Sequence, residues 1–364
     1  MALSVRPATL DDAPAIRDLL NAIDVLEIGG PETDLHAVEA DLGHPGVELE
    51  ADSWLAHENG ELVAYGLLWD DSGGERIDMD HYVLPGRPVA AVRLFELMEA
   101  RAVRRAGANG AARAVVHMHL NSAPTLDTAL IDGRGWQRVR RYQVMVREVS
   151  GESCPVPVPP PGVTLRDCAA EADRRRAHEL WERTFAEHFD HRPRTYEQWL
   201  DDLDAGRLDW SLVLIAAVEG LGPVRSVFVD QPAASGAVHR KAEDRPRTGR
   251  TWTTPTTRRG AVPGVAGPRR STGQGLSDAA VLVARDDRES MGWIRNVGVV
   301  KEARGRGLGG YLLRHAFSAF AGRGRDTVGL GVDTRNATGA LKLYEANGMR
   351  LHFAVDTWEV TLPV

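Results

Sequence analysis

A glycine-rich turn between a predicted strand and a predicted helix is the part of this chain best suited to chemistry. It reads RGRGLGG over residues 304–310. Glycines let a backbone approach a ligand closely and adopt positive φ angles. The helix that follows presents unpaired N–H groups and the positive end of its dipole, and the two arginines add charge. The turn therefore predicts a diphosphate site, with a tight turn that merely carries basic residues as the alternative.

Two common phosphate-binding motifs do not describe this turn. No Gly-Lys-Ser/Thr follows it, and its Arg-x-x-Gly-x-Gly spacing differs from the Gly-x-Gly-x-x-Gly of dinucleotide-binding domains. Further chemistry lies downstream, where Asn336 follows a predicted strand at 327–332 and Tyr344 lies in the next helix. The structural alternative for Asn336 is a helix N-cap, and for Tyr344 it is a packed aromatic side chain.

The order strand, glycine-rich turn, helix, strand, Asn and Tyr resembles the GNAT superfamily of N-acetyltransferases. That family's acetyl-CoA motif, Arg/Gln-x-x-Gly-x-Gly/Ala, matches Arg304, Gly307 and Gly309. Its late Asn and Tyr match Asn336 and Tyr344. The whole chain looks like a tandem GNAT protein, in an arrangement similar to that of mycothiol synthase.

The resemblance implies a role for each of these residues. A gap between two splayed parallel strands would admit the pantetheine arm of acetyl-CoA, and the backbone of Val297 to Val299 would pair with it. The amide of Val299 would polarise the thioester carbonyl. Tyr344 would donate a proton to the departing thiolate, because a phenol of pKa about 10 keeps its proton until a thiol of pKa about 8.5 gains charge. The other residues implied to bind acetyl-CoA are Arg304, Gly305, Arg306, Gly307, Gly309, Gly310 and Asn336.

The base that would take a proton from the acceptor amine has no assigned residue. Many family members place a Glu on the strand before the turn, where this chain has Trp293. Glu289 lies upstream in a predicted turn and is expected to be a surface residue. A water relayed by another carboxylate, or an amine that binds already neutral, remain the alternatives.

The resemblance implies that the acceptor pocket is formed by the loop between the first two helices of the second half, at residues 185–199. It reads FAEHFDHRPRTYEQW, and its aromatic and His residues beside an acid suit an amine with a ring or an apolar arm. A polar surface loop is the alternative. His188 and His191 have no further His or Cys nearby, so no metal site is predicted.

A proline-rich segment, SGESCPVPVPPPG at residues 150–162, divides the chain into two halves. Its prolines favour an extended, semi-stiff linker. Each half opens with a short strand and an amphipathic helix, and closes with a helix, a glycine and an alternating strand. The sequence therefore predicts two tandem α/β (α+β) GNAT folds, at residues 1–149 and 163–364. Each is expected to have a mixed, mostly antiparallel central sheet flanked by helices.

The first half lacks the chemistry of the second. After a predicted strand at 76–84 it reads PGRPVA, without the spacing of the glycine-rich turn. Ile131 stands at the position of Tyr344, and Asn121 is the candidate equivalent of Asn336. We expect a degenerate domain that serves packing or completes the acceptor cleft.

Residues 221–278 are rich in Pro, Gly, Thr, Ser and Arg, with ten Lys and Arg against four Asp and Glu. A disordered insertion between two hairpin strands is the main prediction. Out-of-frame translation of GC-rich DNA is another explanation. A tail that binds nucleic acid is less favoured, because it has few aromatic residues for base stacking.

Composition limits the class of protein. A chain of 364 residues, 43% of them apolar and 26% charged, is typical of a globular protein of about two domains. No apolar run reaches the roughly 18 residues of a membrane span, the start has no signal-peptide pattern, and two cysteines cannot build a disulfide framework. The formal charge of −7 gives no overall attraction to nucleic acid. We therefore expect a cytoplasmic protein with no membrane partner and no metal.

The function that the resemblance implies is direct transfer of an acetyl group from acetyl-CoA, used as co-substrate, to a primary amine of a small molecule or peptide. The alternative is a non-catalytic acyl-CoA-binding regulatory or scaffold protein, favoured by the degenerate first half and the missing base. A nucleic-acid partner bound through residues 221–278 is a third, less favoured class.

Overall fold

The fold is taken from a computed structural model of the chain. It describes residues 3–44, 46–186, 191, 193–203, 208–221, 275–286, 288, 291–336 and 338–364. Most of the predicted insertion at 221–278 therefore lies outside the described residues. Within the described ranges, no helix is both long enough and apolar enough to cross a membrane.

Strands and helices alternate along both halves of the chain. The strands are β1 Leu3–Arg6, β2 Ser53–Glu58, β3 Glu61–Trp69, β4 Arg76–Val83, β5 Arg113–Asn121, β6 Gln137–Glu148, β7 Val163–Asp167, β8 Val213–Val218, β9 Ser277–Arg285, β10 Gly292–Val299, β11 Thr327–Asp333 and β12 Arg350–Pro363. The helices are α1 Ala13–Ile28, α2 Leu35–Leu42, α3 Leu49–Asp52, α4 Pro88–Ala108, α5 Thr128–Gly133, α6 Glu171–Phe185, α7 Tyr196–Asp202, α8 Leu308–Gly322 and α9 Ala340–Ala346. The opening strands β1 and β7 lie where the sequence predicts them.

These twelve strands form one continuous sheet. Its order is β1-β2-β3-β4-β5-β12-β6-β11-β10-β9-β8-β7. The pairs β4–β5 and β10–β11 are parallel, whereas the other neighbouring strands pair antiparallel. The prediction of mixed, mostly antiparallel sheets flanked by helices is confirmed, and the sheets of the two halves join edge to edge.

The last strand of each half lies in the sheet of the other half. β12, from the end of the chain, pairs with β5, and β6, from the first half, pairs with β11. The side chains follow the same exchange: Val360 of β12 belongs to the core that includes α4, and Met145 of β6 belongs to the core of the second half. The linear division of the chain at 150–162 does not foresee this exchange, and the division into domains stays a prediction.

Helices pack against the sheet in both halves. In the first half, α4 packs over β2 to β5, and α1 and α2 form a separate core with β2 and β3. In the second half, β8 is buried along its whole length. Phe320 of α8 lies against β10 at Gly292, and Thr184 of α6 lies against it at Gly298. The strand that leads into the glycine-rich turn is thus held by both helices.

We expect Val360→Ala to destabilise the first half, although Val360 lies near the end of the chain. Its side chain is 6% exposed, and removing two buried methyl groups lowers the free energy of unfolding by about 2 kcal/mol. Hydrogen exchange measured by mass spectrometry should increase in β5 and α4. Val158→Ala, at a position in the proline-rich segment that is 87% exposed, is the matched control and should change neither element. Unchanged exchange in β5 and α4 with Val360→Ala would contradict the position of β12.

Candidate active site

A gap opens in the sheet between β10 and β11. The two strands pair in parallel only as far as Ile294 and Leu330, and then they diverge. A β-bulge at Arg295 interrupts the pairing of β10 with β9 and bends the strand at this point. β10 stays with β9 and β11 stays with β6, so the two facing edges separate. The result is the splayed pair of parallel strands that the resemblance implies.

Two amides of β10 point into this gap. The N–H of Val300 donates to the carbonyl of Ala279, next to β9, at 2.9 Å. Because successive residues of a strand direct their N–H groups to opposite edges, those of Val299 and Val297 point toward β11. The Val299 carbonyl, on the same edge, accepts a hydrogen bond from Nε of Arg304 at 3.2 Å. This edge of β10 is therefore placed to pair with an extended ligand.

The glycine-rich turn leads from β10 into α8. Gly305 and Gly307 both have a φ of +77°, in the left-handed region that favours glycine. Gly307 is the N-cap of α8, and the N–H of Tyr311 donates to its carbonyl at 3.0 Å. The N–H groups of residues 308–310 come before the first N–H that bonds within the helix. They therefore have no partner in α8 and point out of its N-terminus. The turn thus presents several amides and the positive end of α8.

A cleft of about 520 Å³ joins the gap, the turn and α9. Nine of the ten site residues predicted from the sequence line it, namely Val297, Val299, Arg304, Gly305, Gly307, Gly309, Gly310, Asn336 and Tyr344. The tenth, Arg306, is exposed and is not part of this lining. The structure brings the nine residues together, and the role of each stays a prediction.

Tyr344 lies on α9 between the core of the second half and the cleft. The residue is 7% exposed, and burial raises the pKa of its phenol to about 12. The hydroxyl is therefore protonated at every physiological pH. Tyr344 is therefore both a packed aromatic side chain of the core and a residue of the cleft lining.

Asn336 shapes the loop between β11 and α9. Its Oδ1 accepts hydrogen bonds from the N–H of Thr338 at 2.8 Å and from the Thr338 hydroxyl at 2.5 Å. The N-cap of α9 is Gly339, which has a φ of +74°. The alternative that Asn336 is the helix N-cap is therefore wrong, and the residue holds an Asx turn at the cleft wall instead.

Further residues that the sequence did not identify also line the cleft, and among them are Tyr142, Thr184 and Asp333. Tyr142 reaches the cleft because β6 of the first half pairs with β11, where it stands opposite Asp333. Thr184, near the end of α6, approaches β10 so closely that a Cβ at Gly298 would overlap its hydroxyl. No local signal could have found Tyr142, since the strand exchange decides its position.

The residues expected to form the acceptor pocket divide into two groups. Phe185 lines the cleft, whereas Tyr196 and Trp199 are 8% and 2% exposed and belong to the core of the second half. The pocket residues that lie outside the described part of the chain are His188, Phe189 and Asp190. In the described part of this loop, the aromatic residues other than Phe185 therefore support the fold.

The described residues place neither a metal site nor a carboxylate base on β10. Nε2 of His191 lies 3.1 Å from a carboxylate oxygen of Glu182, but no group of three or more His, Cys, Asp or Glu in the described ranges is placed to hold a metal ion. Trp293 lies on β10 under the guanidinium of Arg288. Glu289 lies outside the described residues.

The first half has a similar gap, which its own residues close. β4 and β5 pair in parallel up to Met79 and then separate. The carboxylate of Glu27, on α1, accepts hydrogen bonds from Nδ2 of Asn121 at 2.7 Å and from the Thr125 hydroxyl at 2.8 Å. That hydroxyl also lies 2.8 Å from the carbonyl of Val83, the last residue of β4. A cavity of about 160 Å³ remains, and the carboxylate in it opposes binding of an anionic diphosphate.

Comparisons with known proteins agree with this architecture. Residues 273–349 match the family model of the acetyltransferase (GNAT) domain. The structure is similar to a GCN5-related N-acetyltransferase from Sphaerobacter thermophilus, with 23% identity and a TM-score of 0.70 over 100% of this chain and 96% of that one. It is also similar to a tandem GNAT protein from the clavulanic acid biosynthesis pathway, with 15% identity and a TM-score of 0.60 over 99% and 98% of the two chains. No curated protein matches the sequence. At these identities the likeness establishes the fold, which is that of tandem GNAT proteins.

Proposed function

We propose that this protein is an acetyltransferase that moves an acetyl group from acetyl-CoA to a primary amine of a small molecule or peptide. The observation that carries the proposal is a single cleft that combines a free strand edge, a glycine-rich helix end and a buried phenol. The strand, the turn and the phenol all lie within the segment that matches the GNAT domain model.

The glycine-rich turn fits the diphosphate of acetyl-CoA. Gly305 and Gly307 place no Cβ over the backbone, so that the ligand can approach the main chain. The amides of residues 308–310 and the dipole of α8 favour an anion at this point. Arg304 lines the cleft and adds positive charge, and the exposed Arg306 adds charge nearby.

The edge of β10 fits the pantetheine arm. With the diphosphate at the turn, an arm that enters the gap passes Val299 first and Val297 next, because the strands converge toward Ile294. We therefore place the pantetheine near Val299 and Asn336, and the thioester carbonyl near the N–H of Val297. This moves the polarising amide two residues deeper than the resemblance implies. An N–H aimed at the carbonyl oxygen stabilises the negative charge that develops there.

Tyr344 is proposed as the hydrogen-bond donor to the departing sulfur. Acetyl-CoA supplies an activated thioester when it is bound, and the chain supplies position and a proton. The pKa of the Tyr344 phenol, raised to about 12, is higher than the value of about 8.5 of an ordinary thiol. Complete proton transfer is therefore unfavourable until charge has built up on the sulfur. The main contribution of Tyr344 is to stabilise that charge as the C–S bond breaks.

The pH dependence of the rate follows from these pKa values. Turnover should increase with pH as the acceptor amine loses its proton, and it should not decrease again up to about pH 10. No alkaline decrease is expected because Tyr344 acts in its protonated form, and that form is lost only near pH 12. Thiol release at saturating substrate concentrations, from about pH 6 to about pH 10, measures the profile. A decrease on the alkaline side, with circular dichroism unchanged, would contradict this role.

A thiol-release assay with acetyl-CoA and a panel of amines tests the proposed activity. The panel covers antibiotic, amino-acid and protein amines and an acceptor of the mycothiol-synthase type. We expect release of the thiol together with an equal amount of acetylated amine for at least one class. Binding of acetyl-CoA without release for any amine would instead favour a non-catalytic acyl-CoA-binding regulatory or scaffold protein.

We also propose that the protein acts in the cytoplasm. Cys154 and Cys168 are both buried and free, and cysteines of this kind are typical of a reducing compartment. Burial raises the pKa of the Cys168 thiol to about 12, so that this thiol is unreactive. Fractionation of cells followed by immunoblotting tests the location.

A further inference from the structure

A second, basic cavity lies beside the candidate active site. It has a volume of about 180 Å³ and is lined by Arg138, Arg140, Arg141, Thr334 and Arg335. Every lining residue is polar, and four of them carry a guanidinium group. The proposed reaction does not use this cavity, and the resemblance assigns no role to the arginines at the start of β6.

The strand exchange builds this cavity. Its first three arginines lie at the start of β6, in the first half of the chain, and its other two residues follow β11 in the second half. Tyr142 stands opposite Asp333 where β6 and β11 pair, and the N–H of Thr334 donates to the carbonyl of Arg141 at 3.0 Å. The cavity therefore exists only because the two halves meet here.

Two carboxylates balance part of the charge. Asp356, buried on β12, contacts Arg141 at 2.6 Å and Arg138 at 3.4 Å. Asp333 contacts Arg140 at 3.0 Å. Neither carboxylate is part of the cavity lining, in which the charged groups are four guanidinium groups. A ligand that complements this lining is an anion.

The cavity and the cleft share a wall. Asp333 and Tyr142 line the cleft, and Arg140 lines the cavity. Arg140 contacts the Asp333 carboxylate, and burial raises the pKa of the Tyr142 phenol although the charge of Arg140 acts in the opposite direction. The cavity lies on the β6 side of the gap, whereas the glycine-rich turn follows β10 on the other side. A group held in the cavity is therefore distinct from a diphosphate held at the turn.

We infer that the basic cavity binds an oxyanion of the acceptor, a carboxylate or a phosphate, so that the substrate class is an amine that also carries such a group. The inference rests on the proposed function. Planar guanidinium groups bind either oxyanion through paired N–H donors. The Arg138 side chain is 54% exposed and Arg335 is exposed, so both can turn toward an incoming anion.

Arginine footprinting tests the site without requiring turnover. The full-length protein is treated with phenylglyoxal, which modifies guanidinium groups, and the labelled peptides are quantified by mass spectrometry. Inorganic phosphate or acetate, in separate arms, should slow labelling of Arg335 and Arg138 by about threefold or more relative to sodium chloride at equal ionic strength. The anion that protects identifies the group. Arg104, exposed on α4, is the control and should label equally in all arms. Unchanged labelling of Arg335 and Arg138 in both arms would overturn the inference.

Kinetics connect the cavity to the acceptor. Amines are compared in pairs, phosphoethanolamine with ethanolamine and β-alanine with propylamine. We expect a higher kcat/KM for the anionic member of at least one pair, and Arg335→Glu should decrease that advantage by about tenfold without changing the Kd for acetyl-CoA. Arg104→Glu makes the same change in net charge and should leave both quantities unchanged. Equal kcat/KM within both pairs of turned-over amines would overturn the inference.

Two further outcomes separate this inference from the proposed function. If acetyl-CoA protects Arg335 from phenylglyoxal but its 3′-dephospho form does not, the cavity belongs to the co-substrate and the inference is overturned. If acetyl-CoA binds but no amine is acetylated, the proposed function fails, and protection of Arg335 by phosphate or acetate still decides whether the anion site exists.

Discussion

A Gly307→Val variant is expected to keep its fold but to bind acetyl-CoA about 100-fold more weakly. Gly307 has a φ of +77°, a conformation that a β-branched residue strongly disfavours. The backbone would therefore rotate, and the amides of residues 308–310 would no longer converge on a diphosphate. Loss of one or two charge-assisted hydrogen bonds, about 1.5–3 kcal/mol each, accounts for the magnitude. Isothermal titration calorimetry with acetyl-CoA measures the change in Kd.

Two variants separate loss of the diphosphate site from loss of stability. Gly324 has a φ of +81° just after α8, where a Cβ would meet no atom within 4 Å. Gly324→Val should therefore lower the free energy of unfolding by about 1–3 kcal/mol, as Gly307→Val does, without changing the Kd. Gly307→Ala adds a Cβ into open space and should have an intermediate effect. An unchanged Kd in Gly307→Val would exclude this turn as the diphosphate site.

Local signals in the sequence predicted the elements that carry the site. At the start of the first half, the N–H and the hydroxyl of Thr9 both donate to the Asp12 carboxylate at 2.8 Å. The apolar periodicity of the first helix predicts one face of Ile16, Leu19, Leu20 and Ile23, and α1 buries all of them except Leu20, which is half-buried against the same core. Capping, periodicity and glycine conformation each depend on a few neighbouring residues, and so they can be deduced from one sequence. The turn at Gly307, its helix and the phenol of Tyr344 depend on the same short-range rules.

The pairing of strands is not a local property, and the sequence alone therefore did not predict which strands pair. β6 and β12 each follow a helix and a glycine in the same way, so that either strand can complete either half. Only the assembled sheet shows that β6 pairs with β11 and that β12 pairs with β5. Tyr142 in the cleft and the arginines of the basic cavity follow from that pairing. Nine residues of the second half that line the cleft were predicted from the sequence, and Tyr142 of β6 was not.

Aromatic residues gave the least reliable local signal. Tyr196 and Trp199 belong to a segment whose composition suggests an open pocket, but both lie on α7 and are buried. The hydroxyl of Tyr196 donates to the carboxylate of Glu171 at 3.1 Å, and its ring packs near that of Trp199. Burial of a large aromatic ring is favourable in free energy, even when its neighbours in the sequence are polar. Composition alone does not separate a ligand pocket from a core of this kind.

The two gaps in the sheet have the same strand arrangement but different residues at the mouth. The gap of the first half ends at Val83 and is bridged by Thr125 and the carboxylate of Glu27. The gap of the second half ends at Val299 and opens toward left-handed glycines and a helix N-terminus. The splayed strands are common to both, so we do not expect them to make a site for acetyl-CoA by themselves. We expect the charge at the mouth of the gap to decide where acetyl-CoA binds, since it is negative in the first half and positive in the second.

Tyr344→Phe is expected to lower kcat about 100-fold and to leave the Kd for acetyl-CoA within about twofold. The ring keeps its place in the core, since Phe differs only by the hydroxyl. The variant lacks the hydroxyl donor. That donor is expected to hydrogen-bond to the sulfur only as charge develops on it, so it contributes to turnover rather than to binding of acetyl-CoA. Thiol release at saturating acetyl-CoA gives kcat, and calorimetry gives the Kd.

Tyr311→Phe is the matched control, because Tyr311 on α8 is also buried, at 2% exposure, and is not part of the described cleft lining. It loses the same atom from the same core. If both variants lost kcat equally, the effect would be one of packing. If Tyr344→Phe kept full activity, another group, or no group, would donate a hydrogen bond to the departing sulfur. A loss confined to Tyr344→Phe, with binding intact, assigns the hydroxyl to the step in which the C–S bond breaks.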